Sequence, residues 1–282
     1  MSVFILALDG LEYDFVMKWK LRNLLQKTHG KFQIGREYWK WDNDFGSPYS
    51  PYVWTSFITG VQPHVHGITG FWTYRSRLIE FIRRLPILSK FRGKRAFLSR
   101  MGVAPELQGK RDLKVNTIFD VIYPSIAIDV LGYNPEREMR VRQFRSRNVD
   151  EYMETSKQNF LELRQRMFEK IKSSWKLLMF YIHYTDAAGH CCSFRKLKLI
   201  YQLMDLLTVQ IKEKLRENTV FLIVSDHGIT ATEKLVGASK DIKGAPKHSH
   251  STHAFYSLNF KTAWKPKNIT DFYPKIIEWA NA

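Results

Sequence analysis

Three segments of the sequence hold carboxylates and imidazoles at spacings that suit metal ligation. Val224-Ser-Asp226-His227-Gly228 joins a carboxylate directly to an imidazole, Asp186-Ala-Ala-Gly-His190 sets them four residues apart, and Asp9 stands alone in Leu8-Asp9-Gly10. A four-residue spacing puts both groups on one side of a helical turn. Taken singly each has a plainer use, since an aspartate after a strand usually shapes a turn or caps a helix. Together they divide into two ligand sets: Asp9, Asp226 and His227 in one, Asp186, His190 and a later histidine in the other. Within Lys247-His-Ser-His-Ser-Thr-His253 that later histidine can be His248, His250 or His253. Mixed carboxylate and imidazole ligation suits Zn²⁺, with Mn²⁺ or iron as alternatives, so two divalent metal ions are the expected cofactors. Cys191 and Cys192, next to His190, read as two buried free thiols rather than as further ligands.

These residues need a scaffold that brings distant segments to one edge. Ser2–Leu8, Trp175–His183 and Thr219–Val224 are short apolar runs that end at or just before those segments, as buried strands would. Ser125–Val130 reads as a further strand. Helical patterns separate them: Tyr13–Lys27, Ser50–Thr59, Asn116–Val121, Asp150–Ser173 and Lys196–Arg216, the last with Leu199, Leu203, Leu206, Leu207 and Ile211 inward. Ser50 is predicted as the N-cap of its helix, with Pro51 at the first helical position and Gly60 as the stop. A final helix follows Thr270. Strands alternating with helices imply a mostly parallel sheet covered on both faces. In such sheets functional groups collect beyond the carboxyl ends of the strands.

The chain is long enough, at 282 residues, to bury a full core, and 44% apolar with 25% charged residues excludes a disordered or fibrous protein. Two adjacent cysteines exclude a disulfide framework and suit a reducing compartment. Apolar runs stop at about ten residues, short of a membrane span. Met1–Leu8 lacks a basic lead-in and a cleavage site, so a soluble, cytoplasmic protein is expected. Lys and Arg number 44 against 27 Asp and Glu, a net charge of +17 that favours anionic partners: phosphorylated small molecules, nucleotides, nucleic acid or an anionic membrane surface. Phe71–Lys114 alone carries 12 basic and 3 acidic residues. That stretch is expected as a basic cap insertion, with an extension to 135 open, in an α/β core formed by 1–70 and 115–282.

Read in order, the motifs resemble the alkaline phosphatase superfamily, specifically its type I phosphodiesterase/nucleotide pyrophosphatase family. The residues that carry the likeness are Ala7-Leu-Asp9-Gly-Leu, Ser50-Pro-Tyr-Val-Trp-Thr-Ser-Phe-Ile-Thr-Gly60-Val-Gln-Pro-His-Val-His-Gly67, Thr185-Asp186-Ala-Ala-Gly-His190, Val224-Ser-Asp226-His-Gly228 and Ser251-Thr-His253. The resemblance implies an alkaline-phosphatase-like α/β fold. It implies Asp9, Asp226 and His227 as ligands of the cation that also holds the nucleophile, Ser50, and Asp186, His190 and His253 as ligands of the second. Ala254-Phe-Tyr follows His253 where the family often has a glycine-containing turn, which keeps His250 as the alternative. Ser47 and Thr55 compete with Ser50, but Thr55 falls inside the helix.

A hydroxyl at the start of a helix feels its positive end, which independently favours an activated Ser50 and an incoming phosphate. The expected reaction is hydrolysis of a phosphodiester or nucleotide pyrophosphate bond through a phospho-serine intermediate. Tyr38, Trp39, Trp41, Tyr49, Tyr52 and Trp54 lie near Ser50 in sequence and could stack a base, with Trp54 better read as core. The alternatives are a phosphomonoesterase of the same superfamily and a non-catalytic basic protein that binds nucleic acid or membrane through Leu78–Leu88.

Overall fold

The structure is a computed structural model that describes residues 1–42, 45–74, 76, 79, 105–231 and 248–282. Its framework is a six-stranded sheet built from β1 (Ser2–Leu8), β2 (Thr28–Gln33), β7 (Ser125–Ile128), β8 (Leu177–Ile182), β9 (Thr219–Val224) and β12 (His253–Leu258). The spatial order is β2-β12-β9-β1-β8-β7. The neighbours among β7, β8, β1 and β9 pair in parallel, while β12 runs antiparallel to both β9 and β2. Three short ribbons complete the strands: β3 (Trp39–Asp42) with β4 (Phe45–Pro48), β5 (Trp72–Thr73) with β6 (Glu106–Leu107), and β10 (Ile229–Ala231) with β11 (His248–His250).

Alternation along the central strands divides the core into two layers, because successive side chains leave a strand on opposite faces. Val3, Ile5 and Ala7 of β1 join Leu177, Met179 and Tyr181 of β8 on one face. That layer is covered by α3 (Ser50–Thr59), α5 (Ile118–Val121) and the C-terminal α10 (Phe272–Asn281), with α4 (Pro63–His66) packed against α3. Phe4, Leu6 and Leu8 join Leu178, Phe180 and Ile182 on the other face. There the cover is α1 (Tyr13–Lys18), α2 (Arg22–Leu25), α6 (Arg137–Phe144), α7 (Val149–Lys170), α8 (Tyr184–Cys191) and α9 (Phe194–Lys212). The fold is therefore an α/β sandwich around a mostly parallel sheet, as the sequence implies.

Several details differ from the sequence reading. Tyr13–Lys27 is not one helix: Lys20 and Gln26 adopt φ of 54° and 50°, in the left-handed region that ends helical pairing. Ser50 is the first residue of α3 rather than its cap, which is Tyr49. Leu199, Leu203 and Leu206 do not face inward; they are 60%, 39% and 60% exposed, and α9 buries Leu197, Ile200, Tyr201, Met204, Leu207, Thr208 and Ile211 instead. The inward set of that helix lies one position away from the leucine pattern. Most of the basic stretch 71–114, including Leu78–Leu88 apart from Ile79, lies outside the described residues; Phe71–Tyr74 and 105–114 are seen, joined by the β5–β6 ribbon. No helix among the described residues is long and apolar enough to cross a membrane.

Candidate metal centre

Strand register fixes which residues meet. Leu8 lies beside Ile182 and Ala7 beside Val224, so the next residues along the chain, Asp9, His183 and Ser225, emerge at the same edge. Gly10 turns the chain immediately after Asp9 with φ of 69°, and a Cβ there would stand 2.9 Å from the Asp186 backbone. That close approach requires glycine and lets α8 bring Asp186 and His190 against the end of β1. The β10–β11 ribbon, with Ile229 opposite His250, returns the chain to the same edge before β12 begins.

The first cluster consists of Asp9, Asp226, His227 and Ser50. Asp9 Oδ1 and Asp226 Oδ2 each lie 3.3 Å from His227 Nε2. Ser50 Oγ donates to Asp9 Oδ1 at 3.3 Å and stands 3.3 Å from His227 Nε2. The other oxygen of Asp9 is already engaged, accepting from the Tyr181 hydroxyl, and the Asp9 carbonyl accepts from Thr185. His227 Nδ1 lies 3.0 Å from the Gly228 carbonyl. A carbonyl only accepts, so Nδ1 carries a proton and Nε2 is the nitrogen turned to the cluster.

The second cluster is Asp186, His190 and His250. His190 Nε2 lies 3.3 Å from Asp186 Oδ1 and 2.8 Å from His250 Nε2, which is itself 3.6 Å from the same carboxylate oxygen. His250 Nδ1 donates to the Pro48 carbonyl at 2.8 Å, which again leaves Nε2 pointing inward. The third imidazole is thus His250. His253, which the resemblance favours, opens β12 opposite Gln33 and makes no hydrogen bond or ion pair to Asp186 or His190 among the described contacts. The backbone explains the exchange: at residue 253 the chain has already entered the sheet, whereas 250 is still in the ribbon that crosses the edge.

The two clusters are contiguous, since ligand atoms of Asp186, His227 and His250 lie within 4.8 Å of one another. The same holds for Asp9, His183 and Asp186. The donor set fits divalent cations. Asp186 Oδ1 and Asp226 Oδ2 are buried with no hydrogen-bond donor, an arrangement that costs free energy unless a positive charge meets it. Ligands around a tetrahedral zinc are about 3.4 Å apart, given its usual bond lengths. The observed separations of 2.8–3.6 Å in the second cluster bracket that value. Mixed oxygen and imidazole donors of this kind suit Zn²⁺ or Mn²⁺.

Burial and mutual charge set the protonation of these groups. Burial opposes ionisation of Asp9, but the neighbouring His183 and His227 imidazoles hold it well below the usual carboxylate range. Asp226 is pushed well above that range, by burial first and by the neighbouring Asp9 charge second. For His227 burial disfavours the cation, yet Asp226 and Asp9 raise it to about 10. His250 moves the other way, to about 3, through burial and then the nearby His227 and His190.

Next to Ser50 in the chain, the Tyr49 ring packs edge to face against Tyr52 and Phe71, with centroids 5.1 Å and 5.7 Å apart, and Lys40 Nζ lies 4.6 Å from the Tyr49 ring. Tyr38 and Trp54 are fully buried and belong to the core. Thr55 turns its hydroxyl back to the Pro51 carbonyl inside α3, away from the centre. Cys191 and Cys192 are buried and unbridged, and burial raises the Cys191 thiol to about 12.

Sequence reasoning missed His183, Tyr181 and Tyr152. His183 follows the last residue of β8, the place Asp9 occupies after β1, and that equivalence was the available signal. Its Nε2 lies 3.0 Å from the Tyr152 hydroxyl on α7, a contact across 31 residues with no local pattern.

The model of the type I phosphodiesterase / nucleotide pyrophosphatase family matches residues 3–279. Among solved structures, murine ectonucleotide pyrophosphatase/phosphodiesterase 5 is similar over 100% of this chain and 95% of its own, with 13% identity and a TM-score of 0.60. An inactive form of the same murine protein in complex with AMP has a TM-score of 0.58 at 13% identity, again over 100% of this chain and 95% of that one. Phosphonoacetate hydrolase from Sinorhizobium meliloti 1021, in complex with phosphonoformate, is similar over 99% of this chain and 96% of its own, with 10% identity and a TM-score of 0.60. No curated protein matches.

Proposed function

The chain belongs to the type I phosphodiesterase / nucleotide pyrophosphatase family, and from that premise we propose that it hydrolyses phosphodiester or nucleotide pyrophosphate bonds with Ser50 as the nucleophile. The observation that carries the reading is the position of Ser50 Oγ, at the first turn of α3 and 3.3 Å from both Asp9 Oδ1 and His227 Nε2. Asp9, Asp226 and His227 would hold one divalent cation with Ser50, and Asp186, His190 and His250 a second. Such cations polarise phosphoryl oxygens and favour ionised oxygen nucleophiles at neutral pH.

The protein's own groups perform the rest. Tyr181 and Thr185 fix Asp9 so that Oδ1 alone faces Ser50. Gly228 and Pro48 carbonyls fix the ring orientations of His227 and His250. The amino end of α3 directs its dipole at an incoming phosphate. Ser50 Oγ attacks phosphorus and forms a new P–O bond as the bond to the leaving oxygen breaks, and the leaving group departs with that electron pair. Water then attacks the phospho-serine, which returns Ser50 and releases the phosphate product. The aromatic wall of Tyr49, Tyr52 and Phe71, with Lys40 beside it, offers apolar and cationic contacts to the ester group that a diester retains. The AMP complex of a structural neighbour supports a nucleotide as that group.

Replacement Ser50→Ala tests the assignment. Turnover should fall by at least about a thousandfold, the scale lost when an activated nucleophile is removed, while the cation content stays the same. A variant with near-normal rates would show that Ser50 is not the nucleophile.

A further inference from the structure

Helix α9 presents two apolar faces. The inner one, with Leu197, Ile200, Met204, Leu207 and Ile211, packs on the sheet. On the opposite side Leu199, Leu203 and Leu206 stand exposed. At 100° per residue Leu199 and Leu206 lie within about 20° of each other, and Leu203 is one row to the side. The outward line of the helix runs Arg195, Leu199, Gln202, Leu206 and the half-buried Val209 to the C-cap residue Glu213, in steps of four and three. That is the spacing of a helix that packs along its length against another helix. Neither Arg195 nor Glu213 makes an ion pair among the described residues, and both are exposed.

This line is complementary to itself when reversed. About the level of Met204, Arg195 falls opposite Glu213, Leu199 opposite Val209, and Leu206 opposite Gln202 with Leu203 beside it. In a parallel pairing Arg195 would meet Arg195 and Glu213 would meet Glu213, a repulsive arrangement. We propose that α9 is the contact element of a homodimer, in which two copies pack this outer face antiparallel about a twofold axis at the level of Met204. An isologous contact of this kind closes on itself and needs one patch only. The helix is about 28 Å long. Leu161 on α7, 40% exposed, lies one turn before Arg164, whose Nη2 donates to Gln210 at 2.9 Å, and it widens the face on one side. A face of this width covers less than the roughly 800 Å² per partner of a standard interface. The dimer should therefore dissociate in the micromolar range rather than persist at any dilution.

Sedimentation velocity of the full chain from about 1 to 200 μM, with light scattering as a check, reads the association directly. The expected result is a shift from 33.3 kDa towards twice that mass with rising concentration. Leu199→Glu with Leu206→Glu should weaken association by at least about 100-fold, because four leucines leave the joint and charges enter it. Arg195→Glu alone should weaken it about tenfold, as two Arg–Glu contacts become repulsive. Adding Glu213→Arg to Arg195→Glu should restore association to within about threefold. All these positions are exposed, so circular dichroism and thermal midpoints should match the wild type and show that each variant folds. A wild type that stays monomeric to 200 μM overturns the proposal, whether or not the leucine face then binds anionic vesicles. Dimerisation that survives the double glutamate variant overturns it too. So does failure of the charge exchange to rescue.

Discussion

If the centre holds two cations as proposed, replacing His250, but not His253, by alanine should weaken the binding of one of them. His250 Nε2 lies 2.8 Å from His190 Nε2 and 3.6 Å from Asp186 Oδ1, so it is one of three protein donors that converge on one point. Loss of an outer-shell partner already weakens metal binding 10–100-fold; losing a direct donor should cost at least about the upper figure. At a free Zn²⁺ concentration of about 100 times the wild-type Kd, binding stabilises the fold by about 2.7 kcal/mol. A site weakened 100-fold is then half filled and contributes RT ln 2, about 0.4 kcal/mol. For a chain of this size 1 kcal/mol corresponds to about 2–4 °C in Tm. The zinc-dependent rise attributable to this site should thus shrink from about 5–10 °C to about 1 °C in His250→Ala, and at that free zinc the metal content should fall from two ions per chain to about one and a half or fewer. His253→Ala should keep both the rise and the stoichiometry. The reverse pattern, with His253→Ala losing the cation and His250→Ala retaining it, would refute the placement of the β10–β11 ribbon across the sheet edge.

Metal binding should be coupled to protons. His227 is raised to about 10 from an ordinary 6.5, so its proton stabilises the metal-free fold fully below about pH 6.5 and that contribution is lost as pH rises through 10. Metal-free protein should lose Tm across that window, whereas apparent zinc affinity should rise with pH, because Nε2 must shed the proton to bind; calorimetry in two buffers of different ionisation enthalpy should show at least about one proton released, and a pH-independent affinity would contradict this. Arg140→Leu should destabilise the fold by about 3–5 kcal/mol, the cost of leaving a buried carboxylate without its partner. Arg140 Nη2 donates to Asp129 at 2.6 Å with both side chains buried, and a loss under about 1 kcal/mol by urea unfolding would show that solvent reaches the pair.

Much of this centre was legible because strand ends are a periodic signal. Asp9 and Asp226-His227 follow apolar runs of six or seven residues, and parallel register then forces the two segments together. Asp186 and His190 were readable from their spacing on one helical turn. The choice between His250 and His253 was not, since it depends on where an antiparallel strand begins, and β12 has no apolar run long enough to announce itself before His253. β2 was missed for a related reason. Thr28-His-Gly-Lys-Phe-Gln33 is a polar edge strand with one buried side chain, Phe32, so no alternation marks it. The outward leucines of α9 misled for the opposite reason: an apolar stripe at helical spacing signals a contact, but not which of two faces meets the sheet.

The most direct test of the two-cation, serine-nucleophile centre is steady-state hydrolysis of a nitrophenyl nucleotide diester beside nitrophenyl phosphate. The protein is first stripped with a chelator and then restored with Zn²⁺ or Mn²⁺, with Ser50→Ala in parallel. Turnover should vanish on stripping, return with metal, favour the diester, and be absent in Ser50→Ala at unchanged metal content. Chelator-resistant hydrolysis, or metal-restored hydrolysis that survives the loss of Ser50, would contradict it.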